Sequence, residues 1–294
     1  MPKSADSFSM ALHGGAGVTI GRDYAGVPEH LQSLAENCGE RLADGLSAID
    51  VVEYAVAEME TSGLYVAGRG SAQNAAGYVE MDASIMDGRR RKAGAVSALR
   101  DFVNPISVAR SVLEDTPYIL MTGAGADDFA MRCGHRQVET PNNYYVLPAG
   151  VEISDLATSG LHGTVGAVAM DRSGALAAAT STGGLFGTEA GRVGDTPLIG
   201  VGTWADERVA ISCTGTGEHF ILGGGAQAVA TRVRSADASL DTAVDQLLAD
   251  VKSAGGDGGV IAVSNEGEIV MKFNSSGMKR ALVSSDRSVE VRVF

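Results

Sequence analysis

Gly163-Thr164-Val165-Gly166-Ala167-Val168-Ala169-Met170, then Asp171-Arg172-Ser173-Gly174, then Ala175-Leu176-Ala177-Ala178-Ala179-Thr180-Ser181, is the stretch on which the fold turns. Thr164–Met170 and Ala175–Ser181 are short runs of small and β-branched residues. The residues between them have turn chemistry, so the whole reads as a β-hairpin. Val165, Ala167, Val168 and Ala169 leave little polar alternation, which predicts burial on both faces of the strand.

Downstream, Val209–Cys213 reads as a strand, and Glu218–Ser235 and Ser239–Ala254 as helices. A second hairpin follows, Val260–Ser264 and Ile269–Phe273, around Asn265-Glu266-Gly267. Upstream, Phe8–Leu12 is a strand that enters a glycine turn at His13-Gly14-Gly15-Ala16-Gly17. Residues 28–44 and 48–60 have helical spacing, with Ser47 as the N-cap of the second. Residues 61–78 are irregular. A strand through Val79, Met81, Ala83 and Ile85 is expected to pair antiparallel with Ala93–Leu99. Asn104-Pro105 opens a helix as cap and first-turn proline, Tyr118–Thr122 is a strand, and Ala126–Cys133 a short helix. Residues 135–162 lack periodicity and read as a long exposed loop. Strands arriving as hairpins and helices arriving in pairs argue against a parallel βαβ sheet. The expected fold is α/β, a four-layer αββα sandwich with antiparallel sheets between helices.

Composition narrows the function. The 294 residues carry a net charge of −13, which disfavours nucleic acid as a partner, because phosphates need Lys and Arg. The basic run Arg89-Arg90-Arg91-Lys92 reads as a solvated turn. No apolar run approaches the ~20 residues that cross a bilayer, so no membrane partner is expected. The start, MPKSADSFSM, lacks a signal-peptide core. Cys38, Cys133 and Cys213 are far apart and odd in number, which suits free thiols in a reducing cytoplasm. The 39 glycines are roughly twice average usage. They sit among Val, Ala and Ile, which points to tight turns and close backbone approaches.

The chemistry is not that of common hydrolases. No G-x-S-x-G occurs, Ser71 has no evident His partner, and the five histidines never fall at metal-binding spacing, so no metal site is expected. What remains is rich in hydroxyls: His162-Gly163-Thr164-Val165-Gly166, Thr180-Ser181-Thr182-Gly183-Gly184, Gly191-Arg192-Val193-Gly194-Asp195 and Ser212-Cys213-Thr214-Gly215-Thr216-Gly217. An Arg and an Asp held in a glycine loop can grip a zwitterion, Arg192 by its carboxylate and Asp195 by its ammonium. A threonine hydroxyl is a poor nucleophile without a base. One solution is its own free α-amine, whose pKa of about 7.7–8.0 suits proton exchange at neutral pH. Thr164 is internal, so this requires prior cleavage of the Gly163–Thr164 bond.

These residues bring the chain to a known family. Leu12–Gly17, Ala67-Gly68-Arg69-Gly70-Ser71, Met81–Gly88, Gly163–Ala169, Thr180–Gly184, Gly191–Asp195, Cys213–Glu218 and Phe273-Asn274, in this order, resemble the isoaspartyl peptidase/L-asparaginase family. These are plant-type asparaginases of the N-terminal-nucleophile (Ntn) hydrolases. The resemblance implies self-cleavage into residues 1–163 and 164–294, the α- and β-subunit parts of one domain. It also implies a dimer of those αβ heterodimers. Thr164 would be the nucleophile, with Thr182 orienting it, and Thr214 with the Gly215 N–H the oxyanion hole. Arg192 would clamp the substrate carboxylate, and Asp195, helped by the Gly217 carbonyl, the ammonium. L-asparagine and β-aspartyl dipeptides are the implied small-molecule substrates. No cofactor is implied beyond a structural sodium ion on backbone carbonyls of loop 61–72.

Some positions depart from the family pattern. Val66 stands where the family usually has Asn, and Leu185–Ala190 lacks the Lys and Pro of bacterial relatives. Gly163, rather than Asp, precedes the threonine, which favours asparaginases over the sister glycosylasparaginases. A glycosylasparaginase-like hydrolase and a catalytically inactive binding descendant are the alternatives.

Overall fold

A computed structural model describes residues 7–157, 163–235, 238–286 and 288–294. The first half contributes β1 (Ser9–Ala16), α1 (Val27–Ala43), α2 (Ala48–Ser62), β2 (Met81–Asp87), β3 (Lys92–Leu99), α3 (Pro105–Asp115), β4 (Leu120–Thr122), α4 (Gly123–Arg132) and α5 (Pro141–Tyr144). The second half contributes β5 (Val165–Met170), β6 (Leu176–Thr182), β7 (Thr203–Ala205), β8 (Val209–Gly215), α6 (Gly217–Leu222), α7 (Gly225–Ser235) and α8 (Leu240–Ser253). It ends with β9 (Gly258–Ser264), β10 (Ile269–Phe273), β11 (Met278–Ser284) and β12 (Val289–Arg292). The strands form an eight-stranded sheet, β12-β11-β1-β5-β6-β2-β3-β4, and a four-stranded sheet, β10-β9-β8-β7. The fold is thus mixed α/β with two sheets and helices. The ladders are antiparallel except β3 with β4, which is parallel.

The β5–β6 hairpin forms as expected, in the register Val165↔Ser181, Ala167↔Ala179 and Ala169↔Ala177. Its doubly apolar character has a physical reason. Val165, Ala167 and Ala169 belong to a core shared with α1, α2 and α3, while Val168 and Met170 belong to a second core shared with β8, β9, α7 and α8. Successive side chains alternate between faces, so a strand feeding two cores reads as a continuous apolar run.

Several expectations need correction. The helix expected over Glu218–Ser235 is two helices, α6 and α7. Gly224 and Gly225 take φ of +81° and +55°, a left-handed backbone that breaks the helix. The strand expected from Val79 begins at Met81 instead, and the strand expected over Tyr118–Thr122 begins at Leu120. The region 135–162 is not uniformly loop: α5 and a 3-10 turn at Ile153–Ala157 lie in it, Val138 is buried, and residues 158–162, with His162, fall outside the described residues. Ser47 caps α2 as expected, accepting from the Asp50 N–H at 3.4 Å. Asn104 does not cap α3. Its Nδ2 donates to the Ala57 carbonyl at 3.0 Å and to Glu60 Oε2 at 3.2 Å, while Glu60 Oε1 accepts from the Ile106 N–H at 3.0 Å. The cap is supplied across space by α2.

Glu60 is fully buried, and burial pushes its carboxyl up to about 8. A carboxyl whose folded pKa is raised contributes stability that is complete below its unfolded pKa and is lost as pH rises toward the folded value. Thermal stability is therefore expected to fall between pH 5 and pH 8. In Glu60→Gln, which keeps an acceptor for Ile106 without a titrating group, that fall is expected to be smaller. Glu60→Ala, which uncaps α3, is expected to cost about 1–2 kcal/mol below pH 5 and less as pH rises and the wild type loses its own stability. Parallel melting curves of wild type and Glu60→Gln across this range would count against the assignment.

Candidate active site

The ends of inner strands of the two sheets bring the predicted threonines together. Thr164 stands one residue before β5, 5% exposed. Thr182 ends β6, and its hydroxyl donates to the Gly163 carbonyl at 2.8 Å while accepting from the Gly184 N–H at 3.2 Å. The carbonyl of the Gly163–Thr164 link is therefore polarised by a fixed donor. The glycine turn at the end of β1 closes over the same link. Gly15 has φ +101°, and a Cβ there would lie 3.2 Å from both Gly163 Cα and the Thr164 nitrogen. Only glycine fits that approach.

Gly163, Thr164, Thr182, Arg192, Asp195 and Gly215 line one small, tight cleft. Thr214 and Gly217 do not line it. The Thr214 hydroxyl is buried behind the wall and accepts from the Ala16 N–H at 3.2 Å, with its own proton still to donate. Gly217 abuts the acid: a Cβ there would lie 2.7 Å from Asp195 Oδ1. Roomier hollows exist, one of about 1030 Å³ beside Asp87, Arg90 and Asp171. There, however, Arg90 is already paired with Asp87 at 2.6 Å and with Glu114 at 2.6 Å. The chemistry selects the small cleft.

Two residues given no role by sequence reasoning support the Arg192 loop. Glu218, in the first turn of α6, takes Arg192 Nε and Nη2 at 2.8 Å each. A guanidinium has two edges for bidentate pairing. Glu218 occupies the side edge, and the Nη1–Nη2 edge is left for a second carboxylate. Asp82 stands opposite Thr182 in the β2–β6 ladder, and its Oδ1 accepts from the Ala98 N–H at 2.9 Å. Burial pushes the Asp82 carboxyl up to about 7, against the Ala98 hydrogen bond, the positive charge of Arg192 and a hydrogen bond from Gly194. Asp82 thus anchors the middle of the loop whose ends are Arg192 and Asp195. Nothing local marks either acid. A Glu in a first helical turn reads as a dipole partner, and an Asp in an apolar strand as an exception.

Among the described residues no group of three or more His, Cys, Asp or Glu side chains could hold a metal ion. Also among them, no helix is long and apolar enough to cross a membrane. Cys38 and Cys213 are buried free thiols and Cys133 is an exposed one.

Comparison with known proteins agrees with the geometry. The model of a family described as asparaginase matches residues 6–146 and 148–293. The chain is 38% identical to the probable isoaspartyl peptidase/L-asparaginase 2 of Arabidopsis thaliana, covering 98% of this chain and 99% of that protein. It is 41% identical to the isoaspartyl peptidase of Salmonella typhimurium, covering 92% of this chain and 94% of that one. It is 38% identical to the isoaspartyl peptidase/L-asparaginase of Rattus norvegicus, covering 96% and 87%. With its motifs gathered at one cleft and its relatives matched along nearly the whole chain, the protein belongs to the asparaginase family.

Proposed function

We propose that this protein is an amidohydrolase of isoaspartyl (β-aspartyl) peptides and L-asparagine, acting through Thr164 after self-cleavage at Gly163–Thr164. The observation that carries this reading is the 2.8 Å hydrogen bond from Thr182 to the Gly163 carbonyl, made in the same cleft as Arg192 and Asp195. In self-cleavage the Thr164 hydroxyl oxygen attacks the Gly163 carbonyl carbon. The C–N bond breaks, the proton passes to the departing nitrogen, and water hydrolyses the resulting ester. The products are a Gly163 carboxylate and a Thr164 with a free α-amine. In turnover that amine takes the hydroxyl proton as the oxygen attacks the substrate side-chain amide. The Thr214 hydroxyl and the Gly215 N–H stabilise the oxyanion. Ammonia or a peptide amine leaves with the proton, and water releases aspartate. Arg192 holds the α-carboxylate on its free edge, and Asp195, with the Gly217 carbonyl, holds the α-ammonium.

The wider reading has physical support too. For the four-layer αββα, Ntn-type sandwich, the support is that one core joins the eight-stranded sheet to α1–α3 and a second joins it to the other sheet and α7–α8. Residues 1–163 and 164–294 are then the α and β parts of one domain, and a dimer of those heterodimers is the proposed assembly. A structural sodium ion in loop 61–72 belongs to the same reading, and backbone oxygens crowd that loop. A Cβ on Gly68 would lie 2.4 Å from the Glu60 oxygen, and one on Gly70 2.1 Å from the Tyr65 oxygen and 3.1 Å from the Gly63 oxygen. Backbone oxygens are the ligands a hard cation prefers. The free thiols suit a reducing cytoplasm.

Incubated wild type is expected to yield fragments of 163 and 294 − 163 = 131 residues, while Thr164→Ala stays whole and hydrolyses nothing. A persistent single wild-type band on a denaturing gel, or processing in Thr164→Ala, would sink the nucleophile assignment. Arg192→Ala is expected to raise KM for asparagine about 10²-fold, and Glu218→Ala about 5-fold, because the second loses only the orientation of the first. A lower KM in Glu218→Ala would instead mark Glu218 as a competitor for the clamp.

A further inference from the structure

One layer beneath the cleft runs a buried polar chain that the mechanism above does not use. His13 on β1 places Nδ1 3.0 Å from the Thr164 carbonyl and Nε2 2.9 Å from the Ser212 hydroxyl. Ser212 Oγ lies 2.8 Å from the Thr180 hydroxyl, which Thr203 meets in turn. Ser84 lies 2.7 Å from Thr203 and donates to the Thr196 carbonyl at 2.6 Å. His13, Thr180, Ser212, Thr203 and Ser84 are each at most 0% exposed. Side chains two apart on a strand share a face, so Thr180 lies under Thr182 and Ser212 under Thr214. Gly166, two residues after Thr164, makes the room: a Cβ there would lie 2.1 Å from Ser212 Oγ and 2.3 Å from His13 Nε2.

The direction of these bonds follows from what each group can do. A carbonyl only accepts, so Nδ1 must carry the proton that faces Thr164. Burial pushes the imidazole down to about 3, against the hydrogen bond to Thr164, so the ring is neutral and Nε2 accepts from the Ser212 hydroxyl. Ser212 then accepts from Thr180, and Thr180 from Thr203. The hydroxyls thereby hold the ring in the tautomer that serves Thr164. That service matters because of where Thr164 sits. The β1–β5 ladder begins at His13↔Gly166 and the β5–β6 ladder at Val165↔Ser181, so Thr164 lies beyond both. Once cut from Gly163 it is a chain end, and chain ends fray unless tied.

We propose that His13 is a positioning residue for Thr164, its Nδ1–H holding the carbonyl of a residue that self-cleavage turns into a terminus, with Ser212 and Thr180 holding His13 in the required tautomer. This rests on Thr164 being the nucleophile. Before cleavage the peptide bond to Gly163 restrains the same residue, so the tie acts chiefly in turnover.

Two variants of the full chain divide the two ends of the ring. An Asn amide places its N–H near the position of Nδ1, and a Gln amide near that of Nε2. His13→Asn therefore keeps the donor to Thr164, and His13→Gln loses it. On self-cleaved protein, kcat for L-asparagine is expected to fall about 10²-fold in His13→Gln, with KM within about 3-fold and self-cleavage still complete, because a misplaced reacting atom costs rate rather than binding. His13→Asn is expected to stay within about 10-fold of wild type. Equal losses in both, unchanged turnover in His13→Gln, or a His13→Gln protein that no longer cleaves itself would overturn the proposal in favour of a packing role. Nitrogen NMR of the imidazoles tests the tie without any activity. A neutral Nδ1–H ring at His13 is expected, and an Nε2–H ring overturns it. A wild type that fails to hydrolyse asparagine condemns the functional reading instead, and the NMR result still decides the tie.

Discussion

Two sheets can approach closely only where side chains are short or where the long ones are mutually hydrogen-bonded. At the site end of this molecule both conditions meet at the contact of His13 with Ser212 across the gap left by Gly166. An imidazole buried there without its partners would cost on the order of 1–3 kcal/mol per unmet group, and the low dielectric that imposes this cost also strengthens each bond that is made. The hydroxyl chain meets the cost with residues small enough to keep the sheets close. The separation of β5 and β6 from β8, and so the spacing of Thr164, Thr182 and Thr214, is set by this layer.

Burial works against charge throughout the interior. Burial pushes Glu60 up to about 8, Asp82 up to about 7, His13 down to about 3 and the Lys279 ammonium down to about 8. Each shift favours the neutral form. The firmest pair at the cleft is then Arg192 with Glu218, whose carboxyl the guanidinium holds below its usual range. A small zwitterion entering the cleft meets a local pattern of charge that the overall value of −13 does not blur, because distant surface charges are screened over about 8–10 Å.

What could be read in the sequence, and what could not, follows from these same forces. The β5–β6 and β9–β10 hairpins were legible because their turns carry Asp, Ser, Asn and Gly at the positions turn chemistry demands. β11 was not. Met278-Lys279-Arg280 looks like surface, yet Lys279 is 6% and Arg280 8% exposed. Arg280 manages this by donating to the Met278 carbonyl at 2.8 Å and lying over the Phe273 ring, contacts that only the folded chain supplies. β12 is a half-exposed edge with too little apolar content to register. At the site, the Thr-Gly segments were recognisable because glycine-flanked hydroxyls and an Arg–Asp loop have specific chemistry. Glu218, Asp82 and Ser212 were not, because their roles come from partners 16 or more residues away, such as Ala98 for Asp82 and Arg192 for Glu218. Asn104 shows the converse: the local rule named a cap, and Glu60 from α2 supplied it.

The strand order of the larger sheet has a consequence for how such a protein could be made. β1 from the first half lies between β11 and β5 from the second, and β6 lies between β5 and β2. A cut after Gly163 therefore leaves two pieces woven through a common set of ladders rather than two halves resting side by side. Neither piece holds the larger sheet: the first keeps β2-β3-β4 together but has β1 apart from its hydrogen-bonded neighbours, and the second keeps the four-stranded sheet but would hold a gap in the larger one where β1 belongs. Assembly before the cut is a search within one chain, with the high effective concentration that a linker gives. After the cut, reassembly is a bimolecular encounter between two incomplete sheets with exposed edges that invite wrong pairings. If the chain is cut there as proposed, the Gly163–Thr164 bond would serve as a folding tether, dispensable only once folding is finished. Once unfolded, a protein so cut would have lost the connection that made its own topology reachable.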